Sequence, residues 1–273
     1  EITKQIKMAK FSVLINAVLK RVVKEGRKII DQQDAAILNT PDWLWQSWEK
    51  TYGKEAARKI AETNMKEPPL DITVKSDPEL WAEQLGGIVL KNCSVRLQSA
   101  KNITHLKGFS DGEWWVQDAA ASIPARLFGD VNGKHIIDLC AAPGGKTAQL
   151  LSAGAKVLAV DRSKERISIL KTNMHRLKLR ADYVVADATE LSPNFVPNAI
   201  LLDAPCSATG TLRRHPDVAW HRKPEDIARL TETQYKLLNH ALDILKPDST
   251  LVYSVCSLQP EEGELQISRI LSE

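Results

Sequence analysis

The chain has 273 residues, a net charge of +3, 43% hydrophobic and 26% charged residues. That composition excludes a disordered or low-complexity chain, and the length allows one large domain with a smaller one. No apolar run reaches the ~18 residues needed to span a bilayer, so no membrane association is expected.

The first residue is Glu1, and no secretory leader follows it. The expectation is a fragment of a longer protein. The four cysteines at 93, 140, 206 and 256 form no C-x-x-C pair. No zinc site or redox dithiol is therefore indicated, and no metal is expected. Free thiols suit a reducing compartment, which predicts a cytoplasmic location.

Residues 1–66 carry a helical pattern. Phe11, Leu14, Ile15, Val18 and Val22 recur at helical spacing, with Lys4, Lys7, Lys10, Lys20 and Lys24 among them. Thr40-Pro41-Asp42 predicts a helix start, with Thr40 as N-cap and Pro41 as the first helical residue. Trp43 and Trp48 on that helix read as packing rather than as a binding platform.

Lys66-Glu-Pro-Pro69 marks a boundary. Short strands are expected at 71–74, 86–90 and 94–97, giving a small α+β connector over 67–130. From about residue 131 apolar runs alternate with helical stretches. The runs are 135–139, 156–160, 183–186, 199–202 and 250–255; the helices are 146–152, 164–177 and 224–245. Strand–helix alternation predicts an α/β domain with a doubly wound parallel sheet over 131–273.

Three strand ends carry chemistry. After the first run stands Asp138-Leu-Cys140-Ala141-Ala142-Pro143-Gly144-Gly145-Lys146. It has neither the glycine spacing of a Walker A loop nor a G-x-G-x-x-G fingerprint. The glycines allow a sharp turn and a close backbone approach to a ligand. Asp161 ends the second strand, where it suits ribose hydroxyls, and Asp187 ends the third, where it suits a base edge. Carboxylates at successive strand ends disfavour a phosphorylated cofactor and favour a cationic one such as S-adenosylmethionine. Cys206 and Cys256 then follow the last two strands. One cofactor loop with two thiols at the ligand-binding edge points to covalent catalysis on an electrophilic substrate.

The runs Asp138 to Thr147, Asp203-Ala-Pro-Cys-Ser-Ala-Thr-Gly210 and Tyr253-Ser-Val-Cys-Ser257 with Pro260-Glu-Glu262 resemble the RNA 5-cytosine methyltransferase family. Arg213-Arg-His-Pro-Asp217 and Trp220 strengthen the resemblance to its bacterial small-subunit ribosomal RNA (Fmu/Sun) members. Asn16 to Arg21 resembles the end of their NusB-like helical domain. The resemblance implies a Rossmann-like class I methyltransferase core that binds S-adenosylmethionine through Cys140–Lys146, Asp161, Asp187 and Asp203. It implies that Cys256 bonds to the base, that Cys206 assists proton removal and product release, and that Asp203 holds the cytosine edge. The substrate expected is small-subunit ribosomal RNA. The same chemistry on transfer RNA, and a non-catalytic assembly factor, are the competing readings. Val255 stands where the family usually has Thr, and two further strands are expected beyond Glu273. Arg213, Arg214, His215, Arg222 and Lys223, with His221, are expected to neutralise RNA phosphates. A monomer is expected.

Overall fold

The structure is a computed structural model describing residue 5 and residues 7–98 and 102–272; Lys4 lies outside the described residues. The chain divides into two units, 1–66 and 67–273.

The first unit is helical: α1 Ser12–Asp31, α2 Ala35–Leu38, α3 Asp42–Tyr52 and α4 Lys54–Asn64. Its core is small, with Leu44 and Trp48 of α3 against Ala57 and Ala61 of α4. The expected helix over Phe11–Val22 forms, yet α1 has no buried residue. Thr40 is not the N-cap of α3. Pro41 holds that position, and Asp42 sits in the first turn, where a carboxylate favours the helix dipole. The Thr40 hydroxyl instead donates to the Ala36 carbonyl at 2.8 Å, closing the end of α2.

The second unit begins with four short strands: β1 Leu70–Val74, β2 Gly87–Val89, β3 Val95–Leu97 and β4 Trp114–Val116. They form an antiparallel sheet in the order β2-β3-β1-β4. Strand β4 was not expected. It is three residues long, and its Trp114 and Trp115 are buried. Helix α5 Pro78–Leu85 packs Trp81 and Ala82 into the same core, and α6 Ile123–Arg126 leads out of it.

The parallel sheet follows: β5 His135–Leu139, α7 Gly145–Ser152, β6 Lys156–Asp161, α8 Lys164–Arg176, β7 Asp182–Val185, β8 Ala199–Asp203, α9 Val218–His221, α10 Pro224–Asp243, β9 Thr250–Ser254 and α11 Glu264–Leu271. Its order is β7-β6-β5-β8-β9, parallel throughout. Side chains alternate across a strand. Ile137, Leu139, Ile200 and Leu202 therefore pack with Leu237 and Leu238 of α10. Ile136, Val157, Leu201 and Val252 pack on the other face with Leu150 of α7. Strand order reverses between β5 and β8, which opens a crevice at the carboxyl edge.

Polar contacts join the small sheet to the large one. Gln117 Nε2 donates to Gln149 Oε1 at 2.7 Å, and Arg176 Nη1 donates to the Phe109 and Trp114 carbonyls at 2.7 and 3.1 Å.

Candidate active site

The loop after β5 turns on Cys140, at φ +60°, and Gly144, at φ +103°. A Cβ at Gly144 would lie 3.0 Å from Leu170 Cγ, so both the conformation and the packing ask for glycine there. The loop opens α7, whose first turn projects Lys146. Its Nζ reaches Asp203 Oδ2 at the end of β8, 2.6 Å away. Asp138 lies beneath. It is fully buried, Thr147 Oγ1 donates to its Oδ2 at 2.5 Å, and its Oδ1 has no partner. Burial pushes this carboxyl up to about 7.

Two more carboxylates stand at the same edge. Asp161 accepts from Ser163 N at 3.1 Å and from Ala142 N at 3.3 Å, and it pairs with Arg166 at 3.3 Å. Asp187 Oδ1 accepts from Thr189 N and Oγ1 at 2.9 and 2.7 Å. Those bonds hold its carboxyl below the usual carboxylate range.

A cavity of about 480 Å³ opens between these elements. Of the expected cofactor residues, Cys140, Ala142, Asp161, Asp187 and Asp203 line it, and both later thiols, Cys206 and Cys256, face it too. Ala141 is buried in the frame. Pro143, Gly144 and Gly145 line a separate depression of about 250 Å³ beside Asn173 and Arg176. Lys146 acts on the cavity through Asp203. Three carboxylates, Asp161, Asp187 and Asp203, line the crevice together with Arg162, Arg166 and Lys236. Arg166 is paired with Asp161, and the acids offer acceptors to the hydroxyl and amino groups of a nucleoside such as S-adenosylmethionine.

The thiols differ sharply. Cys206 Sγ and Cys256 Sγ are 3.3 Å apart and unbonded; Cys206 is buried and Cys256 exposed. A hydrogen bond from the Cys206 thiol favours the Cys256 thiolate and lowers its pKa, helped by Lys146 and opposed by burial and Asp203. That bond, together with burial, raises Cys206. Cys140, half-buried, is pushed up to about 12 by desolvation and by the carboxylates Asp161, Asp138 and Asp203, so it is no nucleophile at neutral pH.

Strands β8 and β9 set the pair. They run in register to the partners Asp203 and Ser254, and Ser254 Oγ donates to Asp203 Oδ1 at 2.9 Å. Beyond the strand ends the two loops are laced together. Gly210 N donates to the Cys256 carbonyl at 3.0 Å, and a Cβ at Gly210 would sit 3.0 Å from that oxygen. Leu258 N donates to Thr209 Oγ1 at 3.0 Å. Val255 packs against the core cluster of Ile200 and Leu202, a place for hydrocarbon.

Sequence reasoning named Glu262 within a motif and gave it no role. Its side chain is 0% exposed. It accepts from Ser207 N at 2.8 Å, from Ser207 Oγ, and from Gln234 Nε2 at 3.0 Å. Ser207 Oγ also lies 3.0 Å from Ser257 Oγ. One carboxylate thus fixes the residues that follow both thiols. Only the clustering of Ser and Thr beside each cysteine hinted at such a network.

The expected phosphate contacts are divided. Arg213 donates to the Glu67 carbonyl at 2.6 Å. Arg214 pairs with Asp118 and donates to the Pro69 carbonyl, each at 2.8 Å. Arg222 Nε donates to the Ser207 carbonyl at 3.1 Å. These guanidinium groups brace the structure. His215, His221 and Lys223 are exposed.

The family model described as 16S rRNA methyltransferase RsmB/F matches residues 126–273. Ribosomal RNA small subunit methyltransferase B of Proteus mirabilis is 36% identical over 98% of this chain and 67% of its own length. Its namesake in Cronobacter sakazakii is 37% identical over 98% of this chain and 66% of its own. The chain thus spans about two thirds of the length of these curated relatives. Among solved structures, a methyltransferase homolog protein from Pyrococcus horikoshii superposes with a TM-score of 0.76 at 28% identity, covering 88% of this chain and 81% of that one. NSun6 from the same organism shares the fold, with a TM-score of 0.74 at 22% identity over 85% of this chain and 87% of that one.

Proposed function

The chain belongs to the 16S rRNA methyltransferase RsmB/F family, and from that premise we propose that it methylates carbon-5 of a cytosine in small-subunit ribosomal RNA through a transient bond to Cys256. The observation that carries this reading is Cys256, an exposed residue on the cavity whose sulfur lies 3.3 Å from that of the buried Cys206.

S-adenosylmethionine, when bound, supplies an electrophilic methyl group. Asp161 and Asp187 are the acceptors for the hydroxyl and amino groups of its nucleoside. Carbon-5 of cytosine is a weak nucleophile. Attack of the Cys256 thiolate on carbon-6 makes carbon-5 enamine-like and able to take the methyl group, which splits one hard step into easier ones. The Cys206 hydrogen bond favours the deprotonated, reactive form of Cys256. Asp203, steadied by Lys146 and Ser254, faces the cavity where the ring edge would lie. The carbon-5 proton then needs a base before Cys256 can leave. Cys206 is the residue assigned: once Cys256 is bonded to the ring, the neighbouring thiolate that raises Cys206 is gone, so Cys206 can release its proton to solvent and then take the carbon-5 proton. The target base must leave its stack to reach the sulfur, so the substrate is a single-stranded or loop segment. The reading carries with it a cytoplasmic, monomeric enzyme.

The test offers methyl-labelled cofactor to separated ribosomal and transfer RNAs, then RNA containing 5-fluorocytosine. Label in small-subunit RNA is expected, with a denaturation-resistant protein–RNA adduct that Cys256→Ala abolishes. Label only in transfer RNA would overturn the substrate. An adduct that survives Cys256→Ala would overturn the mechanism.

A further inference from the structure

We propose that Trp220 is a stacking platform for a base flanking the target cytosine; this rests on the RNA methyltransferase reading above. The chain has seven tryptophans. Trp48, Trp81, Trp114 and Trp115 are buried, Trp43 and Trp45 are half-buried, and Trp220 is 62% exposed. An indole left in water forgoes the burial that its size makes favourable, which suits a surface that is covered in use.

Its exposure is imposed by the turn that carries it. In α9 the neighbouring Ala219 is buried, and Trp220 N donates to the Asp217 carbonyl at 3.0 Å, so the indole faces outward. That turn is fixed at both sides. Arg214 ties it to Asp118 and to the Pro69 carbonyl. Arg222 ties it to the Ser207 carbonyl, one residue from Cys206. One residue, His221, separates Arg222 from Trp220, two chain steps that span at most roughly 7 Å. The indole therefore stands on a fixed turn that the Arg222 side chain joins to the thiol loop.

The surroundings select the occupant. His215, His221 and Lys223, with Asp217, are exposed and lie within five residues of it in the chain. An exposed aromatic face on a segment with exposed histidines and a lysine matches a single-stranded nucleic acid, whose bases stack while its phosphates meet polar and cationic side chains. Stacking accepts any base, so the platform would hold the strand without reading it. Held there, a flanking base stays in place while its neighbour turns into the cavity.

The experiment measures methyl transfer by the full chain to a small-subunit ribosomal RNA transcript, together with binding of a single-stranded RNA oligonucleotide. Trp220→Ala is expected to raise KM for RNA and weaken oligonucleotide binding about tenfold. KM for S-adenosylmethionine should stay unchanged, and Trp220→Phe should recover most of the loss. An unchanged RNA KM and unchanged oligonucleotide binding would overturn the platform, as would Trp220→Phe as impaired as Trp220→Ala. A defect seen only with protein-containing subunits would also overturn it, in favour of a protein contact. If the wild type labels no RNA, the proposed function fails first, and oligonucleotide binding by the two variants still decides the platform.

Discussion

At the carboxylate end of the cavity each acid is held by its own neighbourhood: Asp161 by two backbone amides and Arg166, Asp187 by Thr189. At the thiol end the two sulfurs touch each other, and the bracing is passed outward to loops laced through Gly210, Ser207 and Glu262. The first arrangement presents fixed acceptors to a ligand. The second positions the reactive sulfurs through their loops, with a hydrogen bond joining one sulfur to the other. Binding and chemistry are thereby separated within one crevice, so substitutions at one end should leave the other working.

The largest expected effect is at Cys256. Cys256→Ala should lower methyl transfer by about 10⁴-fold or more, while calorimetry shows cofactor affinity within a few-fold of wild type. A matching loss of cofactor binding would erase the distinction between the two ends. Cys206→Ala should slow turnover by about 10²–10⁴-fold and let a covalent protein–RNA complex accumulate on denaturing gels. It also removes the donor that favours the Cys256 thiolate. Alkylation of Cys256 by iodoacetamide should therefore slow at neutral pH, its midpoint moving to higher pH.

Glu262→Gln sharpens the comparison further. The amide oxygen would keep Ser207 N and Gln234 Nε2, but its nitrogen would face Ser207 Oγ, which must turn from donor to acceptor, and the charge-assisted bonds would become neutral ones, at a cost of about 1–3 kcal/mol. Thermal melting should fall accordingly, and kcat should drop about tenfold with cofactor KM unchanged. A lower melting temperature with unchanged kcat would make Glu262 a structural brace only.

The smallest effect concerns Asp138, pushed from 3.8 up to about 7 by burial. Between those values the folded state holds the proton and the unfolded chain does not. Stability therefore declines as pH rises from about 4 to about 7, and stays at its lower level above that. Asp138→Asn should flatten this slope in melting curves of the cofactor-free protein. An unaltered slope would remove Asp138 as its source.

The five strands of the large sheet were legible because each is a short apolar run ended by Asp, Cys or a turn residue. Their expected limits fall within one residue of those observed. Strand β4 was not legible, since three residues give no periodicity to read. The cap at Thr40 was misplaced because a hydroxyl beside a helix start can equally close the helix before it. The thiols and strand-end acids were visible as residue types at strand ends. Which of them share a cavity was not, because Gly144 and Gly145 turn away from it. The roles of Glu262 and of Arg213 and Arg214 were hidden for one reason. Charged residues are exposed by default, and their partners here lie far along the chain: Ser207 is 55 residues from Glu262, and Asp118 is 96 from Arg214.

The register of β8 with β9 has an evolutionary corollary. Asp203 and Ser254 lie side by side, and each sulfur follows its strand by only a few positions. An insertion or deletion between Asp203 and Cys206, or between Ser254 and Cys256, would slide one sulfur past the other by about 3.3 Å, enough to part them. The excursion from Gly210 to Thr250 carries no such constraint. Length variation among descendants of this sequence should therefore collect in that excursion and be purged from the two short spacers.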